Sequence, residues 1–147
     1  MTQSPASRPQ LIFICSPFRE TCFSSPHLNI GYAKALCLAT FAEGNYPFAP
    51  HLLYPSFLND ENPLHRHRGM EAGKEILAAC DALYVGLRYS LSIGMRMEID
   101  YALALSIPIY SVDLDDKPAI IDRTPINTVA DLPIILATIS NLGKETA

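Results

Sequence analysis

The segment Ser92-Ile-Gly-Met-Arg-Met-Glu98 holds the residues whose types and spacing are best suited to chemistry. If this segment is helical, Gly94 and Glu98 lie on one face, because they are four residues apart. The carboxylate of Glu98 is then one turn away from a residue without a side chain, which leaves room for a ligand. A position near the helix N-terminus favours the ionised form by roughly 0.3–1 kcal/mol. Such a carboxylate can attack or stabilise an oxocarbenium-like sugar carbon.

The same segment also has a purely structural interpretation. Serine is a preferred N-cap residue, so Ser92 can simply begin the helix. A glutamate near the start of a helix can complement the helix dipole without taking part in any reaction. Judged by spacing alone, the structural interpretation of Glu98 is favoured over the catalytic one.

Two further candidates stand beside apolar runs. Asp81 precedes the run Ala82 to Gly86, where it either orients or protonates a leaving group or only marks the start of a strand. His51 is flanked by two apolar residues and is equally well interpreted as a substrate contact or as a satisfied polar group.

The loop that begins at Ser16 is a candidate anion site. It leaves an apolar run and leads toward a helix N-terminus, where Arg19 can bind a phosphate in bidentate fashion. The alternative is a surface arginine paired with an acid such as Glu20. Pro17 lacks a backbone N–H and so removes one donor from this loop.

The segment Leu64-His-Arg-His-Arg68 combines two histidines and two arginines. On a helix the two histidines point to different faces, and no cysteine or aspartate stands at ligand spacing from them. We therefore predict no metal site, and the segment is typical of a solvated basic patch. Arg66 or Arg68 can still reach an acidic ligand.

The whole chain has 147 residues, 49% of them hydrophobic, and a formal net charge of −4. This composition predicts one globular domain over residues 10–147 after a disordered leader over 1–9. The charge gives no footprint for nucleic-acid polymers or membrane surfaces, and no apolar run approaches the roughly 20 residues that span a bilayer. The four cysteines form no C-x-x-C pair, which indicates a reducing cytoplasm.

Apolar runs alternate with segments of helical periodicity along the chain. Strands are predicted over 11–15, 47–53, 81–86 and 107–112, with a brief one over 119–121. Helices are predicted over 28–43, 64–79, 94–105 and 132–142. This alternation indicates an α/β fold, a doubly wound (flavodoxin- or Rossmann-like) parallel sheet of four to five strands with helices on both faces. Ligands bind at the carboxyl ends of such strands.

Three motifs in this order resemble the nucleoside 2-deoxyribosyltransferase-like superfamily. They are Ile-Cys-Ser-Pro-Phe-Arg (14–19), Cys-Asp-Ala-Leu-Tyr-Val (80–85) and Ser-x-Gly-Met-x-x-Glu (92–98) running into residues 99–105. The superfamily includes 2′-deoxynucleoside 5′-phosphate N-hydrolases and cytidylate N-glycosidases. Residues 48–55 are more similar to an uncharacterised bacterial and phage branch. The first loop departs from the family pattern, because it lacks the usual glycine.

The resemblance implies an enzyme that acts on a small nucleotide or nucleoside without a cofactor or metal. It implies that Glu98 attacks the anomeric carbon and that Asp81 assists the departing base. Ser92 and Arg19, with Ser16, would contact a 5′-phosphate, and Phe18 would crowd the sugar. Transferases carry an aspartate where Ser92 stands, so hydrolysis of a nucleoside monophosphate is favoured over base exchange.

Two alternatives remain. They are a deoxyribosyltransferase and a catalytically silent nucleotide-binding module. The resemblance also implies a homodimer or higher homo-oligomer.

Overall fold

The computed structural model of the chain describes residues 8–18, 24–89, 91–128 and 131. The strands are β1 (Leu11–Cys15), β2 (Tyr46–Phe48), β3 (Ala82–Gly86), β4 (Ile109–Leu114) and β5 (Ile120–Pro125). The helices are α1 (Pro26–Ala42), α2 (Pro50–Leu53), α3 (Pro63–Ala79) and α4 (Ile93–Ala104), with a 3-10 helix at Tyr54–Ser56.

One five-stranded sheet runs through the described part of the chain in the order β2-β1-β3-β4-β5. The first four strands are parallel and β5 is antiparallel to β4. The predicted α/β fold is thus confirmed, whereas the brief strand predicted at 119–121 is a full antiparallel edge strand. The acidic turn explains the reversal, because the Asp115 carboxylate accepts the backbone N–H groups of Lys117 and Ala119 at 2.9 and 2.8 Å.

Hydrophobic side chains are buried on both faces of the sheet. Phe13, Leu83 and Val85 face α3 and α4. Ile12 and Ile14 face α1 on the other side. Because both faces are covered, the strands are continuous apolar runs and not alternating ones.

The chain steps from β1 to β2 on one side and then crosses to β3 on the other side of β1. The order of strands therefore reverses between β1 and β3. A crevice opens at the carboxyl ends of strands at such a point, and this is where doubly wound folds bind ligands.

The strand predicted over 47–53 is wrong beyond Phe48, since the chain turns into α2 at Pro50. Proline is well suited to the first position of a helix, because its fixed φ is helical and its missing N–H would have no helical partner. This short helix places His51 in the crevice. The predicted loop from Tyr54 likewise begins with a helical turn.

Helix α1 buries part of its apolar pattern. Ala33 and Leu36 are buried, whereas Ile30 and Phe41, at helical spacing from them, are 37% and 62% exposed. Tyr32 and Thr40 are buried as well. Thr40 can be buried because its hydroxyl donates to the carbonyl oxygen of Leu36 at 2.8 Å.

Two predictions lie outside the described residues. These are the helix over 132–142 and most of the leader, residues 1–7. In the part of the chain that is described, no helix combines the length and apolar character needed to cross a membrane.

Candidate active site

A cavity of about 440 Å³ opens at the carboxyl ends of β1 and β3. Its walls come from the loop after β1, from α2 and the 3-10 helix, and from α3 and α4. Five of the predicted site residues line it, namely Phe18, His51, Ser92, Gly94 and Glu98. The topology thus brings together residues that are far apart in the sequence.

Glu98 lies on the second turn of α4 and lines this cavity. Its Oε2 is buried and has no hydrogen-bond partner among the described residues. Burial raises the pKa of Glu98 to about 8, and a hydrogen bond with the Cys15 thiol only partly offsets this. The helix dipole, expected to favour the ionised form, acts mainly on the first turn and does not outweigh this effect of burial.

Cys15 lies beneath Glu98 as the last residue of β1 and is fully buried. Its Sγ donates to the carbonyl oxygen of Met95 at 3.6 Å, and it also shares a hydrogen bond with Glu98. Burial and the neighbouring carboxyl raise the pKa of this thiol well above its usual range, so Cys15 stays protonated. A cysteine among apolar residues is typical of core filling. The sequence signal for a different role is its place at the end of a buried strand.

Ser92 is the N-cap of α4. Its Oγ accepts the backbone N–H of Met95 at 3.2 Å, and its own backbone N–H donates to the sulfur of Met95 at 3.5 Å. The structural interpretation of Ser92 is therefore correct. The Ser92 hydroxyl donates its hydrogen to no described residue, so this donor remains available to a ligand in the cavity.

Gly94 leaves space beside Glu98, as the spacing predicted. A Cβ placed on Gly94 would have a single described atom within 4 Å, the Ser92 Oγ at 3.9 Å. The volume that a side chain would fill belongs to the cavity.

The aromatic rings of Phe18 and His51 are stacked on the opposite wall. Their ring centroids are 5.0 Å apart and their planes differ by 13°. Burial lowers the pKa of His51 to about 4, against the smaller opposing effects of Asp60 and of a hydrogen bond to the backbone of Ser16. His51 is therefore a neutral imidazole at physiological pH, and Ser16 supports it from behind.

Asp81 and Ser16 are not among the residues that line the cavity. Asp81 lies at the amino end of β3, where its carboxylate accepts the backbone N–H of Leu11 at 2.8 Å and pairs with Arg8 at 3.6 Å. That is the opposite edge of the sheet, since Leu11 begins the parallel strand β1. The strand-start interpretation of Asp81 fits this position. Arg19 lies outside the described residues.

Helix α3 contributes charged residues to the cavity. His65, Arg66 and Lys74 line it, and Asp60 does so from the preceding loop. The sequence left open whether Arg66 or Arg68 reaches a ligand, and of these two Arg66 lines the cavity. In the described part of the chain, no group of three or more His, Cys, Asp or Glu residues could hold a metal ion.

Comparisons with known proteins identify the fold. Residues 10–112 match the family described as "Domain of unknown function (DUF7768)". No curated protein matches the chain. The solved structure of a 2-deoxyribosyltransferase from Bacillus psychrosaccharolyticus superimposes with a TM-score of 0.54 at 16% identity, covering 67% of this chain and 69% of the other.

Proposed function

We propose that this chain, which belongs to the DUF7768 family, hydrolyses the N-glycosidic bond of a (deoxy)nucleoside 5′-monophosphate and releases the free base. The observation that carries the proposal is Glu98, which lines the cavity and whose Oε2 is buried without a partner among the described residues. An unpaired buried carboxyl oxygen is costly, and such groups concentrate where function requires them.

In the proposed reaction, ionised Glu98 forms a bond to C1′ while the C1′–N bond breaks. The electron pair of the broken bond leaves with the base, which takes up a proton. Water then attacks C1′, breaks the bond to the Glu98 oxygen, and gives up one proton as the sugar phosphate departs. The resemblance assigned the proton donation to Asp81, but its position at the far edge of the sheet argues against that role.

The stacked rings of Phe18 and His51 can pack against a planar base or against the face of a sugar. A neutral His51 keeps one ring nitrogen as an acceptor, because the bond to Ser16 raises its pKa and so uses a ring N–H donor. The Ser92 hydroxyl and the cations of α3 suit the phosphate end. Arg19 remains a predicted phosphate contact.

The test is a broad activity assay. Purified protein is incubated with ribo- and deoxyribonucleoside 5′-monophosphates and with the matching nucleosides, and free base is measured by chromatography. We expect base release from a monophosphate, and a decrease of about a hundredfold or more in Glu98→Gln, because the nucleophile is lost. Asp100→Asn is the matched control, since Asp100 is an exposed acid on the same helix.

Absence of base release from every compound, or equal release by wild type and Glu98→Gln, would overturn the proposal. The structural likeness to a 2-deoxyribosyltransferase favours one second candidate, base exchange. It uses the same bond between Glu98 and C1′, with a second base replacing water. Incorporation of a labelled base into a deoxynucleoside without net hydrolysis would select this reaction.

A further inference from the structure

The basic segment 65–68 of α3 contributes only two of its four residues to the wall of the cavity. His65 and Arg66 line the cavity, whereas His67 and Arg68 are not among its lining residues. Neighbouring residues on a helix point about 100° apart, so a four-residue basic run cannot direct every member to one ligand. The run therefore contains two residues that face the site and two that serve as natural controls.

Arg66 is a cation of this wall that has no acidic partner among the described residues. Within the described residues its guanidinium has no ion pair and no hydrogen bond. Lys74, the other cation of the cavity, is already engaged: its Nζ lies 3.5 Å from a carboxylate oxygen of Glu71 and 5.9 Å from the centre of the Tyr101 ring. A planar guanidinium with free donors matches the paired oxygens of a phosphate group.

His65 presents a directed donor beside Arg66. Its Nδ1 accepts the backbone N–H of Asn59 at 3.0 Å, so the ring proton is on Nε2. The Nε2–H has no acceptor among the described residues. The same bond fixes the orientation of the imidazole at the start of α3.

The charge available to an anion in the cavity comes from Arg66. Lys74 also lines the cavity but is paired with Glu71, and Asp60 and Glu98 are acidic lining residues. The protein as a whole carries a formal charge of −4. A guanidinium with free donors at the α3 wall therefore favours an anionic ligand over a neutral one.

We infer that Arg66 and His65 bind the phosphate monoester of the ligand at the α3 wall of the cavity. The inference rests on the proposed function for its substrate class, and it adds a phosphate-binding element outside the three motifs of the sequence. It predicts that the protein prefers a nucleoside 5′-monophosphate over the same nucleoside because of Arg66.

Calorimetry with two probes, inorganic phosphate and a nucleoside 5′-monophosphate, tests this inference on the full chain. We expect Arg66→Gln to weaken the binding of both probes about tenfold or more, as loss of a charge-assisted bidentate contact does. Arg68→Gln, two residues further along the same helix, should change the affinity less than about twofold. His65→Phe should weaken binding, while His67→Phe should not. Thermal melts confirm that each variant is folded.

Equal phosphate affinity in Arg66→Gln and Arg68→Gln would overturn the inference, and so would the absence of phosphate and nucleotide binding by wild type at millimolar concentration. The proposed reaction and the inferred phosphate site can be overturned independently of each other. Phosphate binding that depends on Arg66, without any base release, supports the site and overturns the reaction. Base release that Arg66→Gln leaves unchanged supports the reaction and overturns the site.

Discussion

Glu98, Cys15 and the carbonyl group of Met95 form a short hydrogen-bonded chain under the cavity. While Glu98 is protonated it can donate to the Cys15 sulfur, and the thiol can donate to Met95, whose oxygen is 3.6 Å away. When Glu98 ionises, its carboxylate needs a donor, and the thiol has one proton to give. The charge of Glu98 thus decides which acceptor the Cys15 thiol uses.

These hydrogen bonds predict how Cys15 would tune the proposed reaction. Because the proposed attack requires an ionised Glu98 and the pKa of Glu98 is raised to about 8, kcat/KM should increase with pH up to about 8. Cys15→Ser supplies a stronger donor and should move this rise to lower pH by about one unit. Cys15→Ala removes the donor and should move it to higher pH. The pH profile of base release measures both shifts.

A titration of the Glu98 carboxyl carbon by NMR gives the same information without substrate. Cys37→Ser is the control, because Cys37 is a partly buried thiol of α1 away from the cavity. If both variants of Cys15 left the titration of Glu98 where it is in wild type, the role of the thiol would be disproved.

At the level of single residues, the sequence predicted the cavity-lining residues of α4 better than the residues that support them. Gly94 and Glu98 were identified because helical spacing fixes which residues share a face. Cys15 was missed because a buried thiol among apolar residues has the same pattern whether or not it touches a carboxyl group. Asp81 was placed at the site by resemblance, although the first residue of a parallel strand lies at the amino edge of the sheet, opposite the carboxyl ends where ligands bind.

Helices α3 and α4 form two sides of the cavity, and each contributes glycine to its lining. A Cβ on Gly73 of α3 would meet no described atom within 4 Å, and one on Gly94 of α4 would meet only the Ser92 Oγ at 3.9 Å. Glycine inside a helix costs roughly 0.5–1 kcal/mol relative to alanine. In both helices, a residue that lowers helix stability therefore stands where a side chain would enter the cavity.

Alanine at Gly73 or Gly94 should thus separate stability from function. Each substitution should raise the free energy of unfolding by about 0.5–1 kcal/mol, because alanine is the better helix former. Each should also reduce base release and nucleotide binding by about tenfold or more, because the methyl group occupies ligand space. Denaturant unfolding and the activity assay measure the two effects.

Gly31→Ala provides the matched control. Gly31 lies on the exposed side of α1, and a Cβ there would also meet no described atom within 4 Å. It should give the same gain in stability with unchanged activity. Full activity in Gly73→Ala and Gly94→Ala would show that the two glycines do not shape the ligand space.

The elements that were predicted poorly are the short ones around His51. An apolar run of four to eight residues fits a buried strand and a buried helical turn equally well, and proline suits the start of either. The longer α1, α3 and α4 were predicted to within about two residues at each end. Their periodicity extends over several turns, and cap residues such as Ser92 mark where they begin.

At the scale of the whole molecule, the sheet was predictable because its strands are buried on both faces and are therefore continuous apolar runs. The direction of β5 was not predictable from the same signal. It depends on the turn at Asp115, whose carboxylate bonds two backbone N–H groups and sends the chain back along β4.

Two groups in the cavity make the stability of the folded protein depend on pH in opposite directions. Glu98 keeps its proton up to a pH of about 8 in the folded state and loses it near its ordinary pKa of 4.5 when unfolded, so its contribution to stability falls between these values. His51 binds a proton below about 4 when folded and below 6.5 when unfolded, so its contribution rises between 4 and 6.5.

The two contributions oppose each other between pH 4.5 and 6.5, and above pH 6.5 only that of Glu98 still changes. We therefore expect the free energy of unfolding to fall by about 1–2 kcal/mol from pH 6.5 to 8, at roughly 1.4 kcal/mol per unit while Glu98 stays protonated. Urea unfolding followed by circular dichroism at a series of pH values measures this change.

Glu98→Gln should abolish this fall, because the amide occupies nearly the same volume and does not ionise. Asp100→Asn should retain it, since Asp100 is exposed on the outer face of α4. A wild-type protein as stable at pH 8 as at pH 6.5, or an equal fall in Glu98→Gln, would mean that Glu98 is not held neutral by burial. The carboxyl would then be ionised at neutral pH, and the rise of kcat/KM toward pH 8 would also be absent.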